Sequence, residues 1–178
     1  AKTDSHLKNI RQSPDSPLGE YGISQAKALA KSLVGVKFDH LYSSTWPRAI
    51  QTAKEISKEL EIKIKKHPHI HENLKHPALN DVGLENEINQ RFMKERSQNW
   101  NNFDWKFQGE GESVNDLIKR GEKVIKSLVK NHPDDSVCLV SHSYFMAIIT
   151  SILIIGPLSY KNIFMRLGNQ GRALVWQL

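Results

Sequence analysis

The sequence predicts an α/β domain in three layers, α/β/α, with helices on both faces of a mostly parallel central sheet. Three observations predict it. Segments with the helical spacing of apolar residues alternate with short segments of strand character. One of the latter, Val137-Cys138-Leu139-Val140, is a continuous apolar run, the pattern of a strand covered on both faces. Two strand ends lead straight into helices with polar residues at the junction: Ser43-Ser44 ahead of Arg48, and Ser141-His142 after Val140. Alternating strands and helices bury a sheet between helical layers, and ligands of such sheets sit beyond the carboxyl ends of the strands.

From Ser24 to Leu33, Ala26, Leu29, Ala30 and Leu33 recur at helical spacing, and Gly35 stops the helix. Phe38 to Ser43 is a short apolar-rich strand. Thr45 to Leu60 is a second helix, with Ser44 or Thr45 available as cap and Pro47 in the first turn. Between Glu61 and Lys66, Ile62 and Ile64 alternate with charged neighbours, a strand period. About Leu84 to Trp100 reads as helix, and a polar, aromatic stretch continues through Phe103, Trp105 and Phe107. Ser113 with Asp116 resembles a capping box opening a helix to about Lys130. After the strand Ser136 to Ser141 comes an apolar core helix to Ile155. A short helical segment near Leu158 to Ile163 and a strand from Ala173 to Leu178 complete the pattern. No repeat, low-complexity tract or long linker divides the chain, so residues 1–178 read as one domain.

A chain of 178 residues accommodates one domain with a full core. Its 39% apolar and 25% charged residues are ordinary globular usage, which excludes a disordered chain. The single cysteine, Cys138, excludes an internal disulfide and fits a reducing compartment, so a cytoplasmic location is expected. Between Val137 and Leu139 it reads as a small buried hydrophobe. The most apolar stretch, Phe145 to Ile155, carries Thr150 and Ser151 and falls short of the roughly 20 residues of a membrane span. The formal charge of +6 is scattered over helix faces, as at Lys27, Lys31, Lys54 and Lys58, which describes a solvated surface rather than a nucleic-acid face. A mild positive field favours capture of a small anionic substrate.

Several residues could carry chemistry. Arg48 lies at a helix start, where unpaired amides and the dipole attract anions, and a guanidinium adds bidentate hydrogen bonds to phosphate or carboxylate. A surface arginine pairing with Glu55 or Asp39 fits its position equally well. His142, between a buried strand and a buried helix, is either a titratable group at a crevice or a histidine fixed by a backbone hydrogen bond. Glu72 could give a proton to a leaving oxygen and take one from water; most glutamates in such loops are simply solvated. His67, His69 and His71 alternate at a strand end, which places them on one face, but Pro68 disturbs the strand and no acidic ligand is in register, so no metal site is expected there.

The motifs resemble a known family. Leu18-Gly19-Glu20-Tyr21-Gly22-Ile23-Ser24-Gln25-Ala26 resembles the Leu-Thr-x-x-Gly-x-x-Gln-Ala segment of histidine phosphatases, the phosphoglycerate mutase-like enzymes. Tyr42-Ser43-Ser44-Thr45-Trp46-Pro47-Arg48-Ala49-Ile50-Gln51-Thr52-Ala53 resembles their Ser-Ser-x-x-x-Arg-Ala-x-x-Thr-Ala segment almost throughout. Gly111-Glu112-Ser113 with Arg120 resembles their Gly-Glu-Ser helix opening, and Val140-Ser141-His142 their Val-Ser-His segment. The four fall in family order over nearly the whole chain.

The resemblance implies transfer of a phosphoryl group to a histidine nitrogen and then to water. Arg48 and His142 would hold the phosphoryl oxygens, with Thr3, His6 and Ser143 assisting. Glu72 would be the acid and then the base, with Glu112 as runner-up. No metal and no other cofactor is implied. Ala1-Lys2-Thr3 resembles the tail of the family's Arg-His-Gly signature, with Ala1 in the glycine place, so the nucleophilic histidine is expected immediately before Ala1. The first strand, which lies inside the sheet of this fold, is expected upstream too, because its loss would leave two rows of backbone groups unpaired. His6 falls where relatives often carry a phosphate-contacting asparagine. Family mutases have a sizeable insertion after the second strand for which this chain is too short, which favours a phosphatase acting on a small phosphorylated metabolite. A phosphoglycerate-type mutase is the alternative, as is a non-catalytic phospholigand-binding domain should the Arg-His be truly absent. Residues 84–107 are the candidate lid that selects substrate; an ordinary helix and loop packed on the core is the plainer reading.

Overall fold

A computed structural model describes residues 3–4 and 8–155. His6, the segment Leu158 to Ile163 and the strand Ala173 to Leu178 lie outside the described residues. The elements show the expected alternation: α1 (Glu20–Ser32), β1 (His40–Ser43), α2 (Pro47–Leu60), β2 (Ile64–Lys66), α3 (Glu87–Gln98), α4 (Val114–Asn131), β3 (Val137–Val140) and α5 (Ser143–Ile155). The described strands form a parallel sheet in the order β2-β1-β3.

Strand alternation sorts the layers. Leu41 pairs with Cys138 and Ser43 with Val140, while Tyr42 pairs with Leu139 and His40 with Val137. Leu41 and Val140 point to one face, where Ala30 and Leu33 of the α1 region meet Ala49, Ala53 and Ile56 of α2. Tyr42, Val137 and Leu139 point to the other, against Leu117, Val124 and Leu128 of α4 and Phe145, Ile148 and Ile149 of α5. This is the three-layer α/β/α arrangement. β3 is less enclosed than its apolar run suggested: among its residues Val140 is buried, and Val137, Cys138 and Leu139 are half-buried.

Local chemistry explains the boundaries. α1 begins at Glu20 rather than Ser24, on an extended Gly19 whose missing side chain leaves room for the Asp4 carboxylate. Past its end, Gly35 adopts φ +90°, which a residue with a Cβ resists. α2 has Pro47 in its first turn, but Trp46 is the capping position and supplies no side-chain cap. Ser44 instead accepts a hydrogen bond from the Trp46 amide at 3.3 Å, still outside the helix, so the expected Ser44 or Thr45 cap is replaced by a turn. The Ser113–Asp116 capping box of α4 is present with both reciprocal bonds, each 3.1 Å.

The three alternating histidines do not share a strand face. Residues Pro68–Ile70 form a 3₁₀ turn, because Pro68 cannot donate to a ladder, and the His67 ring caps that turn by accepting from the His69 amide at 3.2 Å. His71 stacks on Trp46 instead, with ring centroids 5.9 Å apart. Within the candidate lid, Phe92 of α3 and Phe107 pack with Leu79 and the flanking Trp105 as a small separate cluster. These three aromatics therefore form a cluster apart from the main core, while Trp100 is exposed.

Candidate functional site

The carboxyl ends of β1 and β3 lie side by side, with Ser43 paired to Val140. The residues just past the two strands therefore converge. Ser44 and His142 meet directly, with Nε2 of the imidazole 2.9 Å from the Ser44 hydroxyl. His142 is 7% exposed and packs against the Trp46 indole at 4.8 Å between ring centroids. Burial holds its pKa far down, to about 2, with further lowering first from the positive charge of Arg48. In the absence of an anion His142 is neutral.

Arg48, in the first turn of α2, is 8% exposed. Its Nη1 donates to the carbonyl oxygens of Ser13 at 3.0 Å and Pro14 at 3.3 Å, and the guanidinium lies 4.6 Å from the centre of the Trp46 ring. Burial lowers its pKa to about 10, partly opposed by Glu72, so it remains a cation at neutral pH. The alternative of a surface pair with Glu55 or Asp39 is not what forms. Its Nε and Nη2 groups make no hydrogen bond among the described residues, which leaves a fork for an anion.

Glu72 closes the opposite wall. Oε1 accepts from the amides of Asn73 and Phe145, each at 3.0 Å, and Oε2 accepts from the Tyr144 amide at 3.1 Å and the Ser143 hydroxyl at 3.4 Å. The carboxylate thus occupies the amino-terminal turn of α5, where free amides and the helix dipole favour negative charge. Arg48, Glu72 and Ser143 line one cavity of about 520 Å³, together with Gln12, Trp46 and Lys75. Thr3 is not itself a lining residue: it is buried and accepts from the Gln12 side-chain amide at 2.7 Å, so it reaches the cavity wall through Gln12.

Glu112 is elsewhere engaged. Its carboxylate forms a two-point pair with Arg120, Oε1 to Nε at 2.8 Å and Oε2 to Nη2 at 2.9 Å, and also accepts from the Leu74 amide at 3.0 Å. Arg120 extends from this pair to the carbonyls of His69 at 2.8 Å and His71 at 3.0 Å, and lies 4.2 Å from the centre of the Phe145 ring. The pair therefore clamps the loop that carries Glu72. Gly111 fits the same clamp, since a Cβ there would collide with the Leu74 carbonyl and its φ is +82°.

Sequence reasoning missed Trp46, Gln12 and Lys75 as wall residues. Trp46 had a signal, two residues ahead of Arg48; the other two had none. Lys75 is exposed as a residue, yet atoms packed around its ammonium push its pKa below the ordinary lysine value, and Arg11 adds to this; Glu72 opposes, and Arg48 and Arg96 lower it further. The cavity wall thus sets two cations, Arg48 and Lys75, against the carboxylates of Glu72 and Glu110. No lining residue comes from 84–107, which adjoins the site through the bond from Arg11 Nε to Asn89 Oδ1.

The family model of the histidine phosphatase superfamily (branch 1) matches residues 1–169. No curated protein matches the sequence significantly. Among solved structures the chain is similar to a mycobacterial hydrolase, mycobacterial hydrolase 1, with 23% identity and a TM-score of 0.77 over 91% of this chain and 78% of that one. It is similar to the alpha-ribazole phosphatase from Shigella flexneri, with 21% identity and a TM-score of 0.77 over 92% and 80% of the two chains. A mycobacterial glucosyl-3-phosphoglycerate phosphatase in complex with VO3 shares 23% identity and a TM-score of 0.76 over 90% and 80%. At these identities the likeness establishes a shared fold.

Proposed function

The chain belongs to the histidine phosphatase superfamily, and from that premise we propose that it hydrolyses a small phosphate monoester through a phosphohistidine intermediate, without a metal ion. The observation that carries this reading is one cavity on which Arg48, Glu72 and Ser143 converge, with His142 buried against its Trp46 wall. The solved relatives act on small phosphorylated metabolites, as the names alpha-ribazole phosphatase and glucosyl-3-phosphoglycerate phosphatase state for them. A cytoplasmic metabolite of that kind is the substrate class proposed here.

In this reading the nucleophile is the histidine that the resemblance places directly before Ala1. Its ring nitrogen attacks phosphorus as the ester oxygen departs. Charge spreads over the three transferring oxygens, so fixed positive charge and positioning supply most of the catalysis. Arg48 offers its unpaired N–H groups to those oxygens. His142 offers Nε2, which without an anion faces Ser44, and takes up a proton as the anion arrives. Ser143 lines the same cavity and Thr3 backs it through Gln12, and the resemblance assigns His6 to the phosphate contacts as well. Glu72 gives its proton to the leaving oxygen, then removes a proton from the water that attacks the phosphohistidine. Its three amide partners fix the carboxylate's position at the start of α5. Residues 84–107 select substrate from beside the cavity, through Arg11 and Asn89.

The test is the chain carrying an upstream strand that ends in Arg-His, assayed for phosphate release from p-nitrophenyl phosphate and a panel of phosphorylated metabolites. Inorganic phosphate release with an acid-labile phosphohistidine is expected, and His142→Ala should lower kcat by about 10²–10³-fold. Isomerised product with little free phosphate would replace the reading with a mutase, and tight phosphate binding without turnover would replace it with a binding domain.

A further inference from the structure

At the opposite, amino-terminal end of the sheet a second group of titratable side chains converges that the phosphate chemistry does not use. His40 opens β1, while His132 caps the end of α4 and Asp135 precedes β3. Nε2 of His40 is 2.8 Å from Asp135 Oδ2, and Nδ1 of His132 is 3.2 Å from the same oxygen. The two imidazoles lie 4.0 Å apart between centroids, tilted by 46°. We propose that His40, His132 and Asp135 bind a divalent late transition metal, zinc foremost, through His40 Nε2, His132 Nδ1 and an Asp135 carboxylate oxygen.

Geometry and ligand chemistry both support this. The three donor atoms all lie within 4.8 Å of one another, and donors around tetrahedral zinc stand roughly 3.4 Å apart for metal–ligand bonds of about 2.0–2.1 Å. Two imidazoles and one carboxylate suit zinc and its neighbours in the series, not calcium or magnesium, which take oxygen. With three protein ligands, water fills the fourth position. Metal-bound histidines usually donate their second N–H to an oxygen, and the Tyr42 hydroxyl stands 3.0 Å from His132 Nε2 in that place.

The backbone under the site is held before any metal arrives. Asp39 accepts from the Ser136 amide at 2.7 Å and its own amide donates back to the Ser136 carbonyl at 2.9 Å. The His132 amide is bonded to the Leu128 carbonyl at 2.8 Å. Lys65 is the opposing group: its ammonium donates to His40 Nδ1 at 3.1 Å. That bond keeps the imidazole hydrogen on Nε2, facing Asp135. Metal binding at Nε2 moves the hydrogen to Nδ1 and ejects the exposed Lys65 side chain into solvent, with no net change in the protonation of His40. The metal competes with an ammonium, so affinity depends on Lys65.

The experiment titrates the chelator-stripped chain with Co²⁺, read by its visible absorption, and then displaces it with Zn²⁺. One equivalent of each is expected. Asp135→Asn should weaken binding by at least about tenfold, and Lys65→Met should tighten it severalfold. Equal affinity of wild type and Asp135→Asn would overturn the proposal. So would loss of binding in a His67→Ala/His69→Ala variant, which would move the metal to the neighbouring 3₁₀ turn. If Asp135→Asn fails to fold, Lys65→Met decides alone: at an exposed position it leaves all three ligands in place, and an unchanged affinity sinks the idea.

Discussion

Arg48 is held along one edge and one face while part of its planar fork stays over, a combination that lysine lacks. One edge of the planar guanidinium donates to the Ser13 and Pro14 carbonyls, its face covers Trp46, and the remaining N–H groups are left for an anion. A lysine keeps the charge but is a point donor on a flexible stem. Arg48→Lys should therefore lower kcat/KM by about 10²–10³-fold while the charge-driven capture of substrate survives, measured by steady-state hydrolysis of p-nitrophenyl phosphate in the chain bearing the upstream Arg-His. A loss under threefold would mean that charge alone suffices. Arg48 and His142 could be found from the sequence because each follows a strand end, and strand ends in this architecture point at one crevice. Lys75 could not, because its place on the cavity wall depends on how the loop from Ile70 to Asn80 turns, and nothing in that loop's spacing encodes the turn.

Among the elements, the connection from β2 to α3 is the one whose shape the proposed chemistry depends on, and it is fixed from outside. The Glu112–Arg120 pair ties it at the Leu74 amide and at the His69 and His71 carbonyls, and so presents Glu72 to the start of α5. The side chains of the pair are 15% and 11% exposed, sheltered enough that removing one partner strands the other. Arg120→Met and Glu112→Gln should each destabilise by about 3 kcal/mol, and the double variant by little more than either. Urea unfolding of the four proteins checks this; additive losses would show that the two do not act as one clamp. The α4 capping box could be read directly, since Ser113 and Asp116 are three residues apart. The clamp spans about fifty residues between Arg120 and the loop, a distance over which sequence pattern carries no information, and Glu112 therefore stays a rival acid until its partners are known. The same applies to residues 84–107, for which packing on the core is the plainer reading: Phe92 and Phe107 instead form a separate cluster with Leu79, set by the path of the chain.

Across the described sheet, two chemistries are kept apart: the cavity of Arg48 and Glu72 at one end and an imidazole–carboxylate group at the other, separated by strands of four residues. The cavity imposes a cost that appears as pH dependence. His142 is neutral when folded, with its pKa lowered from 6.5 to about 2 by burial and then by Arg48. The unfolded chain accordingly binds a proton below about pH 6.5 that the folded chain refuses, so the stability it contributes is full above that pH and declines as pH falls toward 2. Asp116 acts in a lower window. Hydrogen bonds from Lys106 and from Ser113 lower its pKa from 3.8 to about 2, so its contribution is full above 3.8 and is lost below. Thermal melts of the phosphate-free chain should fall between pH 7 and 5. In His142→Gln that decline should flatten, leaving the acid loss to begin near pH 4. Inorganic phosphate should flatten it as well, because the anion favours the protonated imidazole and returns the proton that burial had excluded. A melting temperature that falls equally in His142→Gln over pH 7 to 5 would place the responsible group elsewhere.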